Sequence, residues 1–162
     1  MLKMKRLEGK TVLITGGASG IGKIMGRLVL ERKAKLVIWD IAEEKLNQTI
    51  SEFSKKGNVT GYQVDVSNFQ QIQEVAKKTR NENATIDILI NNAGIIVGKY
   101  FQGHSKADIT KTMDINATAP MLIGMEFLKD MIDQNSGHIC NIASSGGLVS
   151  NPKMSVYAAS KW

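Results

Sequence analysis

The stretch Thr15-Gly16-Gly17-Ala18-Ser19-Gly20-Ile21-Gly22 directly follows the apolar run Thr11-Val12-Leu13-Ile14 and directly precedes a helical pattern. Glycine admits backbone angles closed to other residues and lets a pyrophosphate approach the main chain. The helix that follows aims its unpaired N–H groups and positive dipole end at the same spot. Glycine-rich turns are common, and it is the strand before and the helix after that make this one a phosphate cradle.

Strand and helix patterns alternate along the rest of the chain. Strands are expected over 10–15, 35–39, 59–64, 86–90 and 138–143, the fourth being short and mostly hydrophobic, as a strand buried on both faces should be. The first helix should run to about 32 with an apolar stripe of Ile21, Ile24, Met25, Leu28 and Val29, and the second over 42–56, stopped by Gly57. Ser67-Asn68-Phe69-Gln70 reads as a capping box for a third helix to about 81, and one long helix is expected over 106–134. In that helix Met121, Met125, Leu128 and Ile132 recur as a single stripe, expected in the core and able to continue across a subunit interface. The alternation predicts an α/β fold, a doubly wound parallel sheet of Rossmann type, with right-handed crossovers giving strand order 3-2-1-4-5.

At 162 residues, 43% apolar and 22% charged, the chain is one domain's worth of globular protein. No window has the apolar length of a membrane span, and the basic start is followed by Leu7-Glu8-Gly9-Lys10 rather than a signal-peptide core, so a cytoplasmic location is expected. The single Cys140 reads as a small core residue, and the Asn-x-Thr triplets at Asn47, Asn58, Asn83 and Asn116 as chance matches. The net charge of +6 is scattered, mostly where helices should end, which favours a solvated surface over a nucleic-acid site. Neither His104 nor His138 has ligand neighbours at useful spacing, so no metal is expected.

Two further places carry chemistry. Asp40 ends the second strand eighteen residues beyond Gly22, near the spacing of an acid that holds an adenosine ribose; Asp40-Ile41-Ala42-Glu43 also fits a helix N-cap. Tyr157-Ala158-Ala159-Ser160-Lys161 puts tyrosine and lysine one helical turn apart. A phenol is a poor base at neutral pH, and a nearby ammonium favours the phenolate and lowers its pKa.

The glycine turn, Asp40, Asp65, Asn91-Asn92-Ala93-Gly94, Asn116, Ser144 and Tyr157-x-x-x-Lys161, in this order, resemble the short-chain dehydrogenase/reductase family in its single-domain form over essentially the whole chain. The resemblance implies an oxidoreductase that interconverts an alcohol and a carbonyl by hydride transfer with a nicotinamide cofactor. By it, Thr15, Gly16, Gly20, Ile21 and Gly22 hold the cofactor, Asp65 and Val66 touch adenine, and Asn91 braces the sheet while Asn92, Ala93 and Gly94 line the cofactor. Asp40 implies NAD rather than NADP, since Ser19 and Ile41 stand where family members that take NADP usually carry a cation. Tyr157 matches the catalytic acid/base, and Lys161 the lysine that lowers its pKa and binds the nicotinamide ribose. Ser144, thirteen positions before Tyr157, matches the serine that holds the substrate oxygen, and Asn116 the asparagine that completes a water relay to the lysine.

Pro120 adds a physical argument for Asn116. It has no N–H, so the Asn116 carbonyl loses its i+4 partner and the helix should kink, freeing that carbonyl for a water shared with Lys161 or for bulk solvent. The chain stops at Trp162, short of the family's usual length. Residues 1–162 are therefore expected to be one cofactor-binding domain incomplete at its C-terminus, the last strands and the substrate loop lying beyond it, from a longer enzyme that is a homodimer or homotetramer. A dinucleotide-binding fragment without turnover is the second reading of the chain as it stands. A sugar-nucleotide epimerase or dehydratase is disfavoured by the Thr-Gly-x-x-x-Gly-x-Gly spacing. The partner is a small-molecule alcohol or carbonyl of open identity; 146–153 borders the Ser/Tyr pair as one mildly apolar wall.

Overall fold

A computed structural model describes residues 7–83, 85–149 and 151–162. Five strands, β1 (Thr11–Thr15), β2 (Lys35–Asp40), β3 (Val59–Gln63), β4 (Ile88–Asn91) and β5 (His138–Asn141), form one parallel sheet in the order β3-β2-β1-β4-β5. Helices α1 (Gly20–Glu31), α2 (Glu43–Phe53), α3 (Phe69–Asn83), α4 (Lys106–Met113), α5 (Ala119–Asp133) and α6 (Ser155–Lys161) complete it. This is the expected doubly wound fold. Alternation along β1 and β2 sends Leu13, Val37 and Trp39 to the α3/α5 face and Val12, Ile14, Leu36 and Ile38 to the α1/α2 face, so both strands are buried on two sides. Trp39 anchors the first layer, its ring 5.8 Å from that of Phe127 and its indole N–H donating to Thr79 Oγ1 at 3.1 Å.

Two polar braces hold the sheet outside its core. Asp87 accepts from Lys10 Nζ at 2.6 Å and from the Thr11 N–H at 2.8 Å, fastening the starts of β1 and β4. On β3, the Tyr62 hydroxyl donates to Glu82 at 2.8 Å and accepts from Asn83 at 2.6 Å; burial, with the bond to Glu82, pushes the phenol up to about 12.

The structure corrects four local expectations. Helix α3 is capped one residue later than the capping box predicts: the Asn68 side chain accepts from the Gln71 N–H, while the Ser67 hydroxyl is turned toward Asp65 and donates to it. In α1 the buried face is Gly22, Gly26, Val29 and Leu30, and Ile21, Ile24 and Leu28 are exposed. The glycines set this orientation, because a Cβ at Gly26 would already lie 3.0 Å from Leu36, so the bare face of the helix is the one that reaches the sheet. The long helix is two, α4 and α5, joined by a π-turn over Asp114–Thr118 in which the Ala119 N–H reaches back to the Asp114 carbonyl. Pro120, unable to supply an N–H to Asn116, thus produces a wider turn at the predicted place. Finally, Met121, Met125, Leu128 and Ile132 are exposed, and Ala119, Ile123, Gly124, Phe127 and Met131 are buried. Helix α5 carries two apolar stripes, and the one bearing Phe127 faces Trp39. Among the described residues no helix is long and apolar enough to cross a membrane.

Candidate functional site

The carboxyl ends of β1, β2 and β4 open onto a cavity of about 260 Å³ lined by Gly16, Asp40, Ile41, Asp65, Val66 and Gly94 among others. In an open parallel sheet this edge, where the strand order reverses, is where ligands bind. Gly16 (φ 64°) and Gly20 (φ 51°) occupy the left-handed region, and Gly22 is required by proximity, since its Cβ would overlap the Gly16 carbonyl oxygen. Ser19 precedes α1 without a side-chain cap, and no acid lies in the first turn, so the helix start faces the turn uncompensated.

Thr15 is buried, and its hydroxyl oxygen accepts from the N–H groups of Asn92 and Ala93, both at 3.0 Å. The Asn92 amide donates to the carbonyls of Thr15 (3.0 Å) and Gly16 (3.2 Å). Thr15 and Asn92 therefore lock the glycine turn to the loop after β4. Asp40 is buried; one carboxylate oxygen accepts from the Ala18 N–H at 2.9 Å, the other from the Ala42 N–H at 3.0 Å. Asp40 is not the N-cap of α2, which is Ala42 without a side-chain cap bond; the Asp40 carboxylate instead closes a turn ahead of that helix and lines the cavity. Each oxygen keeps a lone pair for a hydroxyl donor. Asp65 accepts from the backbone and hydroxyl of Ser67 through one oxygen. Asn91 donates to the Pro120 carbonyl at 3.2 Å and to Asn141 at 2.8 Å, bracing β4 against α5 and β5.

The other predicted residues gather at the far end of the same edge. Asn116, buried in the π-turn, accepts from the Ile95 N–H and donates to the Ile95 carbonyl, both at 2.8 Å, and donates to the Ser160 hydroxyl at 2.9 Å. A Cβ at Gly94 would lie 3.3 Å from Asn116 Oδ1 and 3.6 Å from Lys161 Nζ, so the glycine that lines the cavity is also approached by both of these side chains. Lys161 donates to the Ile142 carbonyl at 2.9 Å. Ser144 accepts from the Gly146 N–H at 3.1 Å, and a Cβ at Gly146 would stand 3.3 Å from Ser144 Oγ and 3.1 Å from the Tyr157 ring. Ser144 and Tyr157 thus flank one glycine, although among the described residues no hydrogen bond joins the Tyr157 hydroxyl to Ser144 or Lys161. Behind them, Asn116, Asn141, Ser160 and Lys161, together with Pro120, Met121 and Trp162, border a cavity of about 210 Å³, room for water beside its polar groups.

Sequence reasoning missed Ser160. Its hydroxyl donates to the Tyr157 carbonyl at 2.7 Å and receives Asn116, tying α6 to the π-turn. Its place inside the Tyr-x-x-x-Lys spacing was the available signal. Farther out, the loop after β4 ends in a true capping box in which Ser105 and Asp108 exchange bonds; the Lys99 ammonium 2.8 Å away, with Ser105, holds the Asp108 carboxyl well below the usual range.

The short chain dehydrogenase model matches residues 10–162. The chain is 37% identical to an uncharacterized oxidoreductase of Thermotoga maritima over 155 residues, covering 95% of this chain and 61% of the relative. To human estradiol 17-beta-dehydrogenase 11 it is 35% identical over 161 residues, 99% of this chain and 54% of the relative. The chain thus spans little more than half the length of these curated relatives. Among solved structures, a short chain dehydrogenase/reductase from Burkholderia phymatum in complex with NAD superposes with a TM-score of 0.91 at 32% identity, over 96% of this chain and 56% of that one. A metagenomic short-chain oxidoreductase in complex with NADP gives 0.90 at 29% identity, over 96% and 70%. With the motifs in order on the expected sheet and the family model matching nearly end to end, the chain belongs to the short-chain dehydrogenase/reductase family.

Proposed function

We propose that this chain carries the cofactor site and the catalytic tyrosine of an NAD-dependent oxidoreductase that interconverts an alcohol and a carbonyl. The observation that carries the reading is at Gly94, where the cavity opened by the glycine turn meets Asn116 and Lys161. A nicotinamide dinucleotide fits what is present: the turn at Gly16–Gly22 has two left-handed glycines and no acid at the helix start, which suits a pyrophosphate, and Asp40 and Asp65 line the adenosine end. When bound, the cofactor supplies or accepts the hydride.

The chain's own residues do the rest. Asp40 accepts ribose hydroxyls on its free lone pairs, and its negative charge, with neutral Ser19 and Ile41 beside it, repels a 2′-phosphate. Ser144 holds the substrate oxygen; Tyr157 gives that oxygen a proton in reduction or takes one in oxidation. Lys161 holds the nicotinamide ribose and places a cation near the phenol. The cavity behind Lys161 and Asn116 has room for the water through which Tyr157 is reprotonated by way of Lys161. The exposed Met121, Met125, Leu128 and Ile132 support a homo-oligomeric whole protein.

Fluorescence titration with NADH and NADPH, followed by a screen of alcohols and ketones, tests this. NADH should bind at least tenfold more tightly, about 1.4 kcal/mol, and Tyr157→Phe should abolish turnover while retaining NADH. A preference for NADPH removes the role given to Asp40, and binding without turnover of any alcohol or carbonyl favours the second reading, a dinucleotide-binding fragment of the enzyme.

A further inference from the structure

Positive charge that is scattered in the sequence is gathered in space. In a parallel sheet with right-handed crossovers each helix runs against the strands, so helix ends and strand starts share the amino edge, opposite the edge that carries the cavity. At one corner of that edge the chain passes three times: 8–10 before β1, 32–35 between α1 and β2, and 55–58 between α2 and β3. Backbone bonds fasten the passes side by side, from the Gly9 N–H to the Lys33 carbonyl at 3.1 Å, from the Lys35 N–H to the Lys10 carbonyl at 2.8 Å and from the Leu36 N–H to the Asn58 carbonyl at 2.9 Å. Arg32, Lys33, Lys35, Lys55 and Lys56 are thereby brought to one corner.

Their charge is little compensated. Among the described residues Lys33 and Lys56 reach Glu8 and Glu52 only at 4.0 Å, Glu52 being held at 2.8 Å by Lys23, and Arg32, Lys35 and Lys55 form no salt bridge. Helix dipoles favour a cation in a last turn, but Lys35 lies on a strand and Lys33 beyond the end of α1. Lys33 moreover occupies the left-handed region at φ 58°, where glycine is the least strained residue after a helix. With 80% of its side chain exposed, packing does not explain why a lysine stands there. The sequence adds to the same corner: Leu7 packs against the α1/α2 core, and the six residues before it, Met1-Leu2-Lys3-Met4-Lys5-Arg6, interleave three cations with apolar side chains. The aromatic ring beside this corner, Phe53, is buried and offers nothing for a nucleic-acid base to stack on. Cations interleaved with leucine and methionine suit the headgroup layer of an anionic bilayer.

We infer that this corner docks the protein on a membrane surface rich in anionic phospholipid, leaving the cavity at the far edge of the sheet open to solvent. Co-sedimentation with vesicles of phosphatidylcholine alone, and of phosphatidylcholine and phosphatidylglycerol in equal parts, tests it. The chain should bind only the mixed vesicles, and about tenfold less tightly at roughly 0.25 M than at roughly 0.05 M salt as the screening length shortens. Lys33→Gly, which removes the cation and relieves its backbone, should weaken binding about fivefold, and Lys35→Gln/Lys55→Gln about twentyfold, each cation at such a surface contributing about fivefold. Lys77→Gln/Lys106→Gln, at exposed positions on α3 and α4, removes as much charge away from the corner and should leave binding within about twofold. Urea unfolding of each variant checks that the fold is kept. Equal losses from the two double variants would make the attraction one of net charge and overturn the corner. Equal binding to both kinds of vesicle, binding to neither, or tighter binding to a single-stranded oligonucleotide than to the mixed vesicles overturns the membrane as the partner.

Discussion

At the β1/β2 end of the cleft, Thr15 and Asp40 are buried and each accepts two backbone N–H groups; at the β5/α6 end, Ser144, Tyr157 and Lys161 are half-buried, and α6 has only seven residues. The first end is tied to the backbone by these bonds, so replacing Thr15 or Asp40 leaves N–H groups without acceptors and lowers stability. The second end hangs from one loop and one short helix, joined to the core through Asn116, Ser160 and the Lys161–Ile142 bond. Residues at the adenosine end should therefore answer to stability and affinity together, and those at the catalytic end chiefly to turnover.

The most severe way to break this contrast is Gly22→Ala. The added methyl would overlap the Gly16 carbonyl and come within 2.7 Å of the Asn92 amide that ties the turn to the 92–94 loop. Neither is the free end of a flexible chain, so the backbone must move. We expect a destabilisation of about 3 kcal/mol in chemical unfolding and a hundredfold or greater loss of NADH affinity. Near-normal NADH binding would mean that the turn is not the pyrophosphate cradle.

A pair of variants sharpens the contrast further. Asp40→Ala leaves the N–H groups of Ala18 and Ala42 without their acceptors and should cost roughly 2 kcal/mol even without cofactor. Tyr157→Phe removes a hydroxyl with no protein hydrogen bond among the described residues and should leave stability within about 0.5 kcal/mol. Urea unfolding of both without cofactor decides: equal effects would show that the two ends are held alike.

The same contrast explains how much could be read in advance. Strands β1 and β2 were legible because burial on both faces leaves apolar runs, and the glycine turn because backbone angles and close approach restrict the residue type; β4 starts at Ile88, two residues later than expected, because Asp87 is spent on Lys10 and Thr11. Asp40, Asn116, Ser144, Tyr157 and Lys161 were legible as positions by resemblance, but their neighbours were not. Which stripe of α5 is buried depends on Phe127 meeting Trp39, a contact across 88 positions that periodicity cannot rank against the methionine row. In α1 the largest side chains misled, since the helix lies on its glycines. At the start of α3, Asn68 takes the cap while the adjacent Ser67 bonds Asp65, and the sequence pattern alone does not rank two neighbouring capping residues.

Ser160 offers the finest division between the ends, because it touches no part of the cofactor cavity yet connects Asn116 to the Tyr-Lys helix. Ser160→Ala should cost about 1 kcal/mol, since Asn116 keeps both bonds to Ile95 and loses only one. The lost bond sets the register of α6 against the π-turn, and so the approach of Lys161 to Gly94. Turnover should accordingly fall several-fold with KM unchanged, while the NADH dissociation constant stays within about twofold, because Thr15, Asp40 and Asn92 have no contact with Ser160. If NADH affinity falls in step with stability, as expected for Asp40→Ala, the catalytic end is part of the same rigid unit and the contrast between the two ends fails.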